Sequence, residues 1–220
     1  MVVFTSAGLR GAEQFNFTTL AGPAGGNGYS DGTGSVARFN NPIGVAVDSA
    51  GNLYVADTIN HTIRKVTPAG EVSTLAGLAG SNLSADGNGG AARFYFPTGV
   101  ATDSTGNVYV ADSGNSTIRK VTPTGTVSTV AGLAGSGGSD DGMGSVARFN
   151  HPQGVAVDSA ANVYVVDGED HTIGKITPSG VGGTFAGLIL PLAWRWTMPP
   201  TFTWLIMATP RFGRSRRTER

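Results

Sequence analysis

Asn41-Pro42-Ile43-Gly44-Val45-Ala46-Val47-Asp48 decides the fold, because it comes back twice. It returns as Phe96-Pro97-Thr98-Gly99-Val100-Ala101-Thr102-Asp103, and again as His151-Pro152-Gln153-Gly154-Val155-Ala156-Val157-Asp158. Gly44, Gly99 and Gly154 follow one another at intervals of 55 residues. A fixed period of this length marks a stacked or radial repeat architecture, in which each unit buries a face against the next.

Outward from that stretch, each unit reads as four short strands. Val45–Val47 is apolar and follows Pro-x-Gly punctuation. Asp48-Ser49-Ala50-Gly51-Asn52 is a turn: Asp hydrogen-bonds nearby backbone, and Gly and Asn tolerate positive φ. Leu53-Tyr54-Val55-Ala56 is a second strand ending at Asp57, and Asn60-His61 sits in the next connection. Thr62-Ile63-Arg64-Lys65-Val66 alternates as a half-buried strand does. Pro68-Ala69-Gly70 then turns the chain into Val72-Ser73-Thr74-Leu75. A linker rich in Gly, Ser, Asp and Asn leads to Ala92-Arg93-Phe94 and the next unit. Four short strands with turns between them make the sequence form of a propeller blade. A parallel β-helix has a shorter period, and a sandwich does not repeat itself.

These runs resemble the NHL-repeat family of β-propellers: Gly-Val-Ala-Val-Asp at 44–48, Gly-Asn-Leu-Tyr-Val-Ala-Asp at 51–57 and Asn-His-Thr-Ile-Arg-Lys-Val at 60–66. The Asp-Gly-x-Gly and Ala-Arg-Phe linkers are similar to those of bacterial members. The resemblance covers about residues 15–187. It implies blades around a central channel, most often six, used as binding scaffolds; some relatives are lyases or lactonases. The expected fold class is all-β: a propeller of four-stranded blades, about three of them plus an orphan N-terminal strand, in an incomplete ring.

Composition narrows function. The chain has 220 residues with 34 Gly and 14% charged residues, which suits many short strands joined by tight turns. Its net charge of zero hides a split: residues 1–187 carry a net −5 and residues 188–220 a net +5. The repeat body offers no basic footprint for nucleic acid. There is no Cys, so no disulfide framework and no thiolate metal site. Met1-Val2-Val3-Phe4 lacks the basic start and long apolar stretch of a secretory signal. No membrane span is expected, since Arg195 and several Pro break the apolar tail.

Three segments follow. In residues 1–22, Phe17-Thr18-Thr19-Leu20-Ala21-Gly22 stands one period before Val72–Gly77, as a fourth strand without its first three. Residues 23–187 are the three repeats. Residues 188–220 resemble nothing upstream and hold all three Trp and half of the Arg. Reading each new codon from the third base of the codon as translated changes that picture. Trp196-Thr197 then forces Asp, Met198-Pro199 forces Ala and Met207-Ala208 forces Gly. With permitted codons elsewhere, Leu192 onward reads GVAVDNAANVYVADYGNATIRKVTPNG, which aligns without a gap to Gly154–Gly180. The tail is therefore expected to be a fourth repeat translated out of frame, so that its Trp and Arg were not shaped to bind anything.

Binding candidates are Asp57, Asp112 and Asp167, which end the second strand of each unit, together with His61 and His171. A carboxylate ring is able to hold Ca²⁺ or a polar ligand. Because every unit carries one, the favoured role is accepting hydrogen bonds from the turn that follows. His is a frequent ligand and base, but Ser116 replaces it in the middle unit and His151 matches Asn41 and Phe96. Asp31-Gly32-Thr33-Gly34, Asp86-Gly87-Asn88-Gly89 and Asp141-Gly142-Met143-Gly144 lack the Gly-Lys-Ser/Thr of a phosphate loop and read as turns. Arg64-Lys65 and Arg119-Lys120 read as a solvated face. No Gly-x-Ser-x-Gly context suggests a nucleophile. The expectation is a non-enzymatic scaffold without catalytic residues, metal or cofactor, part of a larger surface or secreted protein. Its partner is an unidentified protein or carbohydrate ligand, and open blade edges favour self-association. The alternatives are a propeller enzyme of the lyase or lactonase type and a decayed gene fragment with no function of its own.

Overall fold

The computed structural model describes Asn16 and residues 18–187. The orphan strand's Phe17 and the 188–220 tail, with its out-of-frame reading, lie outside the described residues. The described chain is all-β with short 3₁₀ turns, arranged as three antiparallel sheets that form an open, unclosed set of propeller blades. Blade 1 holds β1 (Gly32–Thr33), β2 (Pro42–Val47), β3 (Leu53–Asp57), β4 (Thr62–Val66) and β5 (Glu71–Gly77). Blade 2 holds β6 (Gly87–Asn88), β7 (Pro97–Thr102), β8 (Val108–Asp112), β9 (Thr117–Val121) and β10 (Thr126–Ala131). Blade 3 holds β11 (Gly142–Met143), β12 (Pro152–Val157), β13 (Val163–Asp167), β14 (Thr172–Ile176) and β15 (Val181–Gly187).

The four expected strands are present in every blade, and a fifth joins them. Part of the Asp-Gly-x-Gly linker, read above as turn alone, pairs with the outer strand: Gly32 faces Val72 and Thr33 faces Glu71, giving the order β1-β5-β4-β3-β2. The added strand pairs with the first two residues of the outer strand, which would otherwise be a bare sheet edge there. The β2–β3 turn forms as its composition dictates. The Asp48 carboxylate accepts the N–H groups of Ala50 and Asn52, each at 2.9 Å, and Gly51 takes φ 82°.

Alternation along the strands gives each blade a front, toward the preceding unit, and a back, toward the following one. The back of blade 1 presents Tyr54, Ala56 and Ile63 to Phe94, Val108 and Val110 on the front of blade 2. The next seam repeats this, with Tyr109, Ala111 and Ile118 against Phe149, Val163 and Val165. The innermost strands approach so closely that glycine is required: a Cβ on Gly44 would stand 2.1 Å from the Thr98 carbonyl oxygen, and one on Gly99 2.7 Å from that of Gln153. Residues 18–22 form no strand, yet they lie on blade 1 as the end of β5 lies on blade 2. A Cβ on Gly70 would meet the Leu20 oxygen at 2.9 Å, as one on Gly125 would meet the Leu75 oxygen at 2.7 Å.

Candidate functional site

The polar residues singled out by the repeats fall within blades. Asp57 ends β3, is fully buried, and accepts three hydrogen bonds: from Asn40 N–H at 2.7 Å, Asn60 Nδ2 at 2.8 Å and Arg64 Nη1 at 2.8 Å. Asp112 repeats the set with Tyr95 N–H at 2.7 Å, Asn115 Nδ2 at 2.8 Å and Arg119 Nη1 at 2.8 Å. Of these donors only Asn60 and Asn115 belong to the turn that follows the carboxylate. The others reach it from the preceding loop and the next strand.

Arg64 and Arg119 correct the sequence reading most sharply. Neither is on a solvated face; both side chains are fully buried. Alternation places only Lys65 and Lys120 on the other side, where their ammonium groups lie over Tyr54 and Tyr109 at 6.0 and 5.7 Å. Arg64 Nη1 also donates to the Arg38 carbonyl at 2.9 Å, while Nη2 reaches Asp31 Oδ1 at 2.6 Å and the Ser30 carbonyl at 3.0 Å. The Phe39 ring lies 5.2 Å from the guanidinium carbon. Arg119 has the same surroundings in Asp86, the carbonyls of Ala85 and Arg93, and Phe94. A buried guanidinium is tolerable because two carboxylates and two carbonyls replace its water. Asp31 and Asp86, read as turn residues, each supply one of the two carboxylates in that replacement. Part of the signal was in the spacing: Asp31, Asp57 and Arg64 recur one period on as Asp86, Asp112 and Arg119, although the third unit keeps the two Asp without the Arg.

Asp167 is 3% exposed but has no arginine, since Gly174 stands at the Arg64 position. It accepts the Asn150 N–H, at 2.9 Å to Oδ2 and 3.0 Å to Oδ1. Burial pushes its pKa up to about 6 against these bonds, and the nearby Asp170 charge adds to the rise.

His61 and His171 both take left-handed backbone, φ 58° and 55°, as Ser116 does at 56°. The position selects residues that accept that conformation. His61 is buried, its Nδ1 accepts the Phe96 N–H at 3.2 Å, and its ring packs edge-on against Phe96 at 4.9 Å. Burial lowers its pKa, favouring the neutral ring. His171 is exposed. The structure thus spreads the five candidates over three blades rather than gathering them. Among the described residues no group of three His, Asp or Glu stands where it would hold a metal ion, and no helix is long and apolar enough to cross a membrane.

The family model described as NHL repeat matches residues 39–66, 94–121 and 149–176. Each match runs from the linker's aromatic residue through the third long strand of one blade. NHL repeat-containing protein 2 of Bos taurus is 36% identical over 152 residues, covering 62% of this chain and 21% of that protein. Teneurin-3 of Danio rerio is 32% identical over 176 residues, covering 73% of this chain and 6% of that protein. The chain therefore spans only a small part of these curated relatives. Among solved structures, an auxiliary nutrient binding protein from Bacteroides thetaiotaomicron VPI-5482 superposes with a TM-score of 0.54 at 25% identity, covering 64% of this chain and 36% of that one.

Proposed function

We propose that this chain, which belongs to the NHL-repeat family of β-propeller proteins, works as a non-enzymatic scaffold that binds other protein surfaces through its open blade faces. One observation carries the reading. On the front of blade 1, Val45 and Val47 are 50% and 58% exposed, whereas Val100, the match of Val45 inside a seam, is 8% exposed. The back of blade 3 is open too: Val166 is 38% exposed where its matches Ala56 and Ala111 are fully buried. Apolar faces of this kind mark interaction surfaces. Further blades, from a longer protein or a second chain, are the surfaces that fit them. An extracytoplasmic setting within a larger protein suits the likeness to a bacterial nutrient binding protein.

The repeated polar residues support the same reading, because in blades 1 and 2 they are committed to the buried arginine. A lyase or lactonase needs catalytic groups that break the symmetry of the scaffold, or a metal to polarise its substrate. Elemental analysis of the purified chain, paired with assays of lactone opening, separates the two. The scaffold reading predicts no stoichiometric metal and no turnover; a bound metal with turnover would replace it by the enzyme.

A further inference from the structure

We propose that blade 3 carries a binding site for a guanidinium group, in the cavity where blades 1 and 2 hold the guanidinium of their own arginine. The cavity, about 20 Å³, is lined by Asp140, Asp141, Phe149, Asp167, Gly174 and Thr184, among others. It is far below the size of a drug-like pocket and suits the tip of a small cation.

The two carboxylates, the threonine, the phenyl ring and the carbonyl-bearing backbone of the cradle are retained, while the arginine and the asparagine of the following turn are not. Asp141, the match of Asp31 and Asp86, is held by the Thr184 N–H at 2.7 Å and hydroxyl at 3.0 Å. Thr129 holds Asp86 in the same way, at 3.1 and 3.0 Å. Asp167 matches the two buried carboxylates, and Phe149 matches the Phe39 and Phe94 rings. The backbone that supplies the carbonyl acceptors is also preserved: Arg148 N–H donates to Asp140 O at 2.9 Å, as Arg38 N–H donates to Ser30 O at 2.9 Å. Gly174 sits between Val165 and Thr184 in the ladder, as Arg64 sits between Val55 and Thr74. A Cβ at Gly174 would meet nothing closer than Phe149 at 3.7 Å.

The charges point the same way. Where the arginine is missing, two carboxylates are added: Asp170 replaces Asn60 and Asn115, and Asp140 replaces Ser30 and Ala85. Asp170, half-buried beside the cavity rather than lining it, accepts Asn150 Nδ2 at 3.1 Å on Oδ1, while its Oδ2 is buried without a partner. Arg148 and Lys175 border the cavity and His151 lies near Asp167, but the charged ends of Arg148 and Lys175 are engaged elsewhere. Arg148 Nη1 donates to the carbonyls of Ser145, Val146 and Ala147, and Lys175 lies over Tyr164 on the opposite face at 5.6 Å. Asp167 is the buried member of this set, and a buried carboxylate without a counter-charge is strongly unfavourable. A flat cation resting on a phenyl ring and bonded to two carboxylates and two carbonyls is what this cradle holds in both sister blades. The group comes either from a free small molecule or from an arginine side chain of a partner. Asp140 and Asp141, both exposed, form the rim through which it enters.

Calorimetric titration and thermal unfolding of the full chain with guanidinium chloride, at low millimolar concentration and matched ionic strength, test the site. Saturable binding is expected, with a rise in Tm that sodium chloride does not reproduce. Gly174→Arg fills the cradle, so it should abolish binding and raise the Tm of the ligand-free protein. Asp167→Asn should weaken binding at least tenfold. Should that variant not fold, Asp141→Asn on the exposed rim is expected to do the same. Tighter binding of a blocked arginine amide than of free guanidinium assigns the site to an arginine side chain, and the reverse order to a small molecule; either upholds it. Wild type and Gly174→Arg responding alike, or saturable Ca²⁺ binding with none of guanidinium, overturns it.

Discussion

Arg64 shows how much one side chain organises. It bridges Asp57, Asp31 and two carbonyls, and its removal leaves Asp57 buried without its charge partner. Arg64→Met should cost about 3–5 kcal/mol in urea unfolding. Pairing it with Asp57→Asn should recover part of that loss, because the stranded charge goes too; a double variant as unstable as the sum of its singles would contradict this. Asp167 gives a pH test. Its pKa is about 6 in the folded chain and about 4 when free, so its favourable contribution is complete below pH ~4 and lost as pH rises through ~6. Relative to Asp167→Asn, the wild type should therefore gain Tm on acidification from about pH 7 to about pH 5; a constant difference contradicts the assignment. At this scale the sequence was only half legible. The turn role of Asp48 follows from its own neighbours. The burial of Arg64 depends on Asp31, 33 residues away, and strand alternation names a face without saying what covers it.

At the scale of elements, strands and turns were readable because each is set by local chemistry: alternation, Pro and Gly punctuation, and Asx turns. The two-residue β1 was not, since Gly32–Thr33 carries no strand pattern and pairs only because the linker is laid along β5. The glycines of the innermost strands supply the prediction here. Gly99→Ala would place a Cβ 2.8 Å from Gly154 Cα and should cost about 1–3 kcal/mol as overpacking. Gly90→Ala meets nothing within 4 Å, and at the matching position Ser35 and Ser145 stand in the other units. It should be neutral or add up to about 1 kcal/mol by restraining the unfolded chain. Chemical denaturation of both variants decides; equal effects would mean that inter-blade contact does not set the choice of glycine.

For the whole molecule, the 55-residue period is enough to announce blades, because each unit cannot bury both faces alone. What the period does not show is which faces stay open. The seams do: whatever occupies Val100 or Ala111 inside a seam is exposed at Val45 and Val166 at the ends of the described array. Full burial of an exposed Val is worth about 1.5–3 kcal/mol, so these faces favour association of one blade with another. Sedimentation velocity over a range of concentrations tests the scaffold account most directly, comparing the wild type with Val45→Lys/Val47→Lys. The account predicts that the wild type gains mass with concentration while the double variant, still folded by circular dichroism, stays at the mass of a single chain. A wild type that remains a single chain at every concentration, indistinguishable from the variant, would contradict it.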